Sequence, residues 1–106
     1  MNFSELAENV SLEEDEFLEL VELFVETSVS DLERLQSAID GGHLQEAVEA
    51  AHSVKGAAGN LGFTEIYNLA KAMEKKARQS SLEGASEALK AIRDRYGHIA
   101  EALRTK

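Results

Sequence analysis

The residues best suited to chemistry in this sequence are a histidine and a lysine three positions apart, His52 and Lys55. At neutral pH an imidazole offers an unprotonated ring nitrogen that can act as a nucleophile. Residues three apart on a helix are neighbours, so the lysine ammonium can reach the oxygens of a phosphoryl group on the histidine. The pair therefore indicates phosphoryl transfer through a histidine.

Two glycines, Gly56 and Gly59, follow this pair inside a helical pattern. A glycine in a helix interior costs about 0.5 to 1 kcal/mol relative to alanine, so we expect a requirement other than helix stability to keep them there. At about 100° per residue, His52, Gly56 and Gly59 fall on one strip of the helix. This bare strip is expected to bind a partner protein, because transfer between two proteins requires a close approach to the histidine.

The elements that position these residues are predicted to be helices throughout. The chain has no proline, and its apolar residues recur every three or four positions. Capping-box patterns at Ser11–Glu14 and Ser80–Glu83 predict the starts of the first and fourth long helices. The first long helix is predicted to run from residue 11 to the glycine pair at 41–42, and the second from 44 to about 60–62. The third is predicted to open at 63–64 and to continue to 77, the fourth covers 80–103, and a short extra helix lies around 4–8.

Each long helix carries an apolar stripe that predicts its buried face. The stripes comprise Phe17, Val21, Phe24, Ser28, Leu32, Leu35 and Ile39; Leu44, Ala47, Val48, Ala51, Lys55, Ala58 and Gly62; Ile66, Ala70, Met73 and Ala77; and Leu82, Ala85, Leu89, Ile92, Tyr96, Ile99 and Leu103. Short connections make sequential helices antiparallel. We therefore predict one all-α domain over residues 1–106, an antiparallel up-down four-helix bundle with a short extra N-terminal helix.

The hairpin formed by the second and third long helices predicts one further residue of the site. His52, Lys71 and Glu74 lie at similar distances from its turn at Gly62, so they are expected at the same level of the bundle. Glu74 could accept a hydrogen bond from one ring nitrogen of His52 and leave the other free to attack. Lys55 and Glu74 are both expected at the protein surface.

The segment from Ala51 to Phe63 resembles the signature of the histidine-containing phosphotransfer (HPt) domain family: a histidine, any residue, an apolar residue, lysine, glycine and small residues, with a further glycine downstream. In that family the histidine takes a phosphoryl group from a receiver-domain aspartate and passes it to another receiver, without ATP hydrolysis of its own. The resemblance implies that His52 is phosphorylated, with Lys55 and Gly56 as its flanking residues. A similar glutamate assists in the kinase-attached branch, whereas Lys71 departs from that branch, where another histidine tends to occur.

Composition excludes several other classes of function. The formal net charge of −9 disfavours binding to nucleic acid and to anionic membranes. The chain has no cysteine, no signal peptide pattern and no apolar run long enough to span a bilayer, which favours the cytoplasm. We expect a monomer without cofactor or metal, whose partners are the receiver domains of response regulators or hybrid kinases.

Three alternatives stay open at this point. One is a di-iron helical bundle, because Glu49-x-x-His52 has the spacing of its metal ligands. Such a bundle needs a second Glu-x-x-His pair, which the chain lacks. The residue three positions before His98 is Arg95, and the residue three positions before His43 is Asp40. A helical adaptor would explain the bundle but not the glycines. The chain could also be a piece of a hybrid kinase or the phosphorylated domain of a chemotaxis-type kinase, although its initiating methionine and single-domain length favour a free-standing protein.

Two further features of the sequence are the remaining histidines and a row of basic residues. His43 and His98 lie outside any comparable motif, so both are interpreted as solvated side chains. Lys71, Lys75 and Arg78 form a basic row on an acidic protein. That row either contacts a partner or makes local pairs with acids such as Glu74.

Overall fold

The computed structural model describes all residues, 1–106, and contains five helices and no strand. The helices are α1 (Phe3–Asn9), α2 (Glu14–Gly41), α3 (Leu44–Asn60), α4 (Thr64–Arg78) and α5 (Ala85–Thr105). The predicted all-α class and the short N-terminal helix are confirmed.

The four long helices enclose one apolar core. Helix α2 packs against α3 and α5, α4 also packs against α3 and α5, and α1 contacts only α2. The predicted stripes are buried, apart from six residues that are partly exposed: Ile39, Leu44, Lys55, Gly62, Leu82 and Leu103. Aromatic rings join the helices inside the core, where the centroids of Phe24 and Tyr96 lie 4.9 Å apart and those of Phe24 and Phe63 lie 5.3 Å apart.

Glycine ends α2 as the sequence predicts. Gly42 has a φ of 68°, a left-handed conformation that glycine adopts without steric cost, and its N–H donates to the carbonyls of Ala38 and Ile39. The turn after α3 contains Gly62 with a φ of 78°. These two glycines set the short connections that bring α3 against both α2 and α4.

Both predicted capping boxes are wrong. Ser11 and Ser80 have φ values of 61° and 63°, so each ends the preceding helix instead of starting the next one. The N–H of Ser80 donates to the Ala77 carbonyl, as expected of a left-handed residue that closes α4. Helix α2 begins at Glu14, where Glu13 and Glu16 form the capping box, and α5 begins at Ala85 after the left-handed Gly84.

None of the five helices combines the length and the apolar character needed to cross a membrane.

The left-handed serine at the end of α4 predicts a stabilising substitution. An L-residue in this conformation is strained by about 1 kcal/mol, which glycine relieves. We expect Ser80→Gly to raise the free energy of unfolding by about 0.5 to 1 kcal/mol and the melting temperature by several degrees. The neighbouring Ser81 has no positive φ, and its Oγ accepts from the N–H of Glu83 at 3.2 Å. Ser81→Gly should therefore destabilise the protein, and equal effects of the two substitutions in thermal unfolding would contradict this explanation.

Candidate functional site

Helix α3 presents His52 to solvent because its small residues are committed to the core. Ala51, Val54 and Ala58 are fully buried. His52 projects from the other side of the helix, and 63% of its side chain is exposed. An open imidazole of this kind is accessible to a second protein without any rearrangement of the bundle.

Facing His52 across the α3–α4 interface is the buried carboxylate of Glu74. This residue follows Met73 in the inward stripe of α4, and only 6% of its side chain is exposed. The expectation that Glu74 lies at the surface is therefore wrong. A buried carboxylate is stable only when charged or hydrogen-bonding partners replace the water that it loses, and Glu74 has three such partners.

The three partners divide between the two carboxylate oxygens of Glu74. Lys55 Nζ lies 2.8 Å from Oε1. His52 Nδ1 lies 3.0 Å from Oε2, and Arg78 places Nη2 at 2.6 Å and Nε at 3.2 Å from the same oxygen. The hairpin argument thus identifies the correct pair of residues, His52 and Glu74. We call the four side chains His52, Lys55, Glu74 and Arg78 the carboxylate cluster.

These contacts keep Glu74 ionised. Burial by itself raises the pKa of this carboxyl, but the hydrogen bonds from Lys55, Arg78 and His52 outweigh burial and lower the pKa to about 2. A carboxylate can only accept hydrogen bonds, so His52 Nδ1 must carry the proton that it donates to Oε2. In the neutral ring the other nitrogen, Nε2, then has the lone pair. This is the nitrogen that can act as a nucleophile.

The two glycines of the motif have different surroundings. A Cβ at Gly56 would meet no atom within 4 Å, so nothing in the fold requires glycine there. A Cβ at Gly59 would lie 3.1 Å from Cδ2 of Tyr67, so the missing side chain makes room for that ring of α4. Gly56 therefore borders open space next to His52, whereas Gly59 lets α3 and α4 pack closely.

Lys71 lies outside the carboxylate cluster. Its Nζ is 5.8 Å from the centroid of the Tyr67 ring, at a cation–π distance, and the side chain is exposed. The sequence predicts Lys71 at the level of His52 and leaves Arg78 with two alternatives, a partner contact or a local pair with an acid such as Glu74, and the structure shows that pair. The four-residue spacing between Glu74 and Arg78 is the signal that predicts their pairing, and the basic row is thus split between two uses.

On the side of α3 away from α4, an apolar groove runs between α2 and α3. Leu20 and Leu23 from α2, together with Ala57 and Leu61 from the end of α3, contribute to its lining. Leu20 and Leu23 are 42% and 54% exposed, which is unusual for leucine on a bundle helix. Asn60, which also lines the groove, lies one helical turn after Gly56 on α3, so the groove adjoins the open surface at Gly56.

The residues of the di-iron alternative point to different partners. Glu49 accepts from Arg34 of α2 at 3.0 Å, whereas His52 donates to Glu74 of α4. No group of three His, Asp or Glu side chains is arranged to hold a metal ion. The Glu49-x-x-His52 spacing therefore does not form half of a metal site.

Two comparisons with known proteins find a match. The model of the Hpt domain matches residues 19–102. The structure is similar to the crystal structure of histidine-containing phosphotransfer protein B (HptB) from Pseudomonas aeruginosa PAO1, with a TM-score of 0.82 and 27% sequence identity. That match covers 94% of this chain and 87% of the other. No curated protein matches the chain.

The lowered pKa of Glu74 predicts a specific pH dependence of stability. Its folded value of about 2 lies below the ordinary value of 4.5, so the stabilisation is fully present above about pH 4.5 and is lost as the pH falls through 2. We expect wild type to exceed Glu74→Gln by about 2 to 3 kcal/mol in unfolding free energy at pH 7, with the difference shrinking between pH 5 and pH 2.

Urea unfolding at a series of pH values measures this difference. Glu87 is an exposed acid of α5 without an ion pair, so Glu87→Gln should differ little from wild type at any pH. If the difference in unfolding free energy between wild type and Glu74→Gln stays constant from pH 7 to pH 2, the Glu74 carboxylate is not held in its ionised form.

Proposed function

Because this chain belongs to the Hpt domain family and is a histidine phosphotransfer protein of phosphorelay signalling, we propose that His52 is the residue that carries the phosphoryl group. One observation carries this proposal: an exposed imidazole whose Nδ1–H is bound to a buried, ionised carboxylate. His43 and His98 are also exposed, but neither has a hydrogen-bonded carboxylate partner. Only His52 has both a solvent-exposed side chain and a carboxylate that orients its imidazole ring.

The proposed step is an in-line attack by Nε2 of His52 on the phosphorus of a partner's aspartyl phosphate. The new N–P bond forms as the P–O bond to the aspartate breaks, and the aspartate leaves as a carboxylate. The ring uses the Nε2 lone pair and keeps its Nδ1 proton, so positive charge develops on the imidazole. The ionised Glu74, 3.0 Å from Nδ1, stabilises that charge without accepting the proton. Transfer to the next aspartate reverses the same step.

Lys55 is proposed to stabilise the phosphoryl oxygens. It lies one helical turn after His52, and its side chain is 23% exposed, so its ammonium can move from Oε1 of Glu74 towards a phosphoryl group on Nε2. An ammonium beside a group that carries close to two negative charges supplies the electrostatic stabilisation that phosphoryl transfer needs.

We propose that a receiver domain docks over Gly56 and the adjoining apolar groove. Two observations support this surface: the space beside Gly56 is open, and Leu20 and Leu23 are exposed next to it. Gly59 and Lys71 remain predictions as partner contacts. Their placement around Tyr67 puts them on the other side of His52 from the groove.

The up-down, antiparallel course of α2 to α5 is part of the same proposal. Its support is the register of contacts, since His52 meets Glu74 while Gly59, further along α3, meets Tyr67, earlier in α4. We further propose a carrier without ATP-dependent kinase activity of its own, because the phosphorylated partner supplies both the phosphoryl group and the driving force. A helical adaptor would leave the carboxylate cluster unexplained.

The first functional prediction concerns the identity of the phosphorylated residue. A phosphorylated receiver domain, in the absence of ATP, should label the wild-type protein at one acid-labile, alkali-stable site, as a phosphoramidate requires. His52→Gln should abolish the label, while His43→Gln and His98→Gln should be labelled like wild type in a gel-based transfer assay. Labelling of His52→Gln at the wild-type rate would rule out His52 as the carrier.

The second functional prediction concerns Gly56 and the docking surface. Gly56→Glu and the neutral Gly56→Gln should fold with melting temperatures close to wild type, since a Cβ there meets no atom within 4 Å. Both should accept phosphoryl groups at least about ten times more slowly, because a side chain at this position separates the receiver aspartate from His52. Stopped-flow or gel-based transfer kinetics measure the rates, and circular dichroism checks the fold.

Gly97 provides the matched control, because it is also an exposed helical glycine with no atom within 4 Å of its Cβ position. Gly97→Glu and Gly97→Gln, in α5, should transfer at the wild-type rate.

A second pair of variants tests the apolar groove. It compares Leu23→Glu in the groove with Val29→Glu elsewhere on α2, and the wild-type side chains at these positions are 54% and 52% exposed. Equal rates within both pairs would mean that the receiver docks elsewhere.

A further inference from the structure

We propose that Arg78 is a positioning residue for phosphoryl transfer, which fixes Oε2 of Glu74 so that this oxygen holds the Nδ1–H of His52. The inference rests on the proposed role of His52. The side-chain hydrogen bonds of Arg78 go to Glu74 and none goes to His52, so its proposed effect on the imidazole passes through Glu74.

The geometry of the Arg78 contact is that of a clamp. Both Nη2 and Nε donate to Oε2, at 2.6 Å and 3.2 Å, and Arg78 follows Glu74 by one helical turn on the same helix. A guanidinium with two donors on one oxygen restricts the rotation of that carboxylate more than a single ammonium does. His52 uses the same oxygen at 3.0 Å, so fixing Oε2 also fixes the imidazole.

The division of cations between the two oxygens gives Arg78 and Lys55 different tasks. Lys55 binds Oε1 from the helix that carries His52, and moving to a phosphoryl group means leaving that oxygen. A buried carboxylate that loses its only counterion is strongly destabilised. Arg78 remains on Oε2, so Glu74 keeps a cation throughout the transfer and Lys55 is free to move.

Arg78 also limits the influence of Glu74 on the protonation of the ring. A nearby carboxylate favours the doubly protonated imidazolium, which has no lone pair for attack. The charged groups that face Glu74 are Lys55 and His52 from α3 and Arg78 from α4, and no ion pair joins Glu74 to α2 or α5. Removing Arg78 therefore leaves more of the negative charge acting on His52.

The test compares Arg78→Met, Arg78→Lys and wild type in transfer from a phosphorylated receiver between pH 5.5 and 9. Arg78→Met should be slower at pH 7 by about tenfold, with the acid limb of its pH–rate profile moved to higher pH. Arg78→Lys should restore most of the profile and part of the rate, because it keeps the charge but not the two-donor clamp. Lys90, exposed on α5 and without an ion pair, supplies the charge control, and Lys90→Met should match wild type.

Nitrogen-15 NMR of the histidine rings provides a readout that needs no partner. In wild type His52 should be mainly the Nδ1–H tautomer near neutral pH, and Arg78→Met should lower that fraction while helical circular dichroism stays unchanged. A slow Arg78→Met variant with the wild-type acid limb and tautomer would assign Arg78 to docking and overturn the positioning role. If wild type accepts no phosphoryl group, the proposed function fails. The fraction of the Nδ1–H tautomer in wild type and in Arg78→Met then tests by itself whether Arg78 positions the His52 ring.

Discussion

The architecture around the site depends on one buried negative charge, the Glu74 carboxylate between α3 and α4. Burial of this group is tolerable only because two cations and an imidazole N–H replace its lost water. Those partners come from both helices, so the cluster fixes the axial register of α3 against α4. A slip of one turn, about 5.4 Å, would separate the carboxylate from Lys55 and His52 and leave only Arg78, on its own helix, as a partner. The need to pair this charge thus specifies the register of the helix hairpin that also displays the nucleophile.

Small residues complete the α3–α4 interface on which that arrangement rests. Ala51 and Ala58 are fully buried, and the missing side chain of Gly59 admits the Tyr67 ring. Close packing of this kind brings the carboxylate within reach of Nδ1 while His52 itself stays in solvent. The site is therefore rigid on its inner side and open on its outer side. Such a combination suits a group that must keep its orientation and still meet a protein.

The sequence predicts the features that depend on helical periodicity, and also the one contact that follows from equal distances to the turn between α3 and α4. The apolar stripes, the glycine end of α2 and the pairing of His52 with Glu74 follow from helical spacing and from distances to the Gly62 turn. The helix starts at Ser11 and Ser80 are wrong because a serine before an acidic residue fits both a cap and the end of the previous helix. Tertiary contacts decide between these two, and they also decide the burial of Glu74, which no local pattern specifies.

The open position of His52 has a consequence for the order of events in a relay. The His52 side chain is 63% exposed, and on the proposed docking surface the protein that delivers the group and the protein that removes it would bind the same face. Two receivers cannot occupy one face together, so the proposal implies a ping-pong scheme in which the first leaves before the second arrives. An excess of unphosphorylated receiver then competes with the loading step. The flow of signal through this protein is accordingly set by the relative amounts of its partners as much as by the chemistry at the histidine.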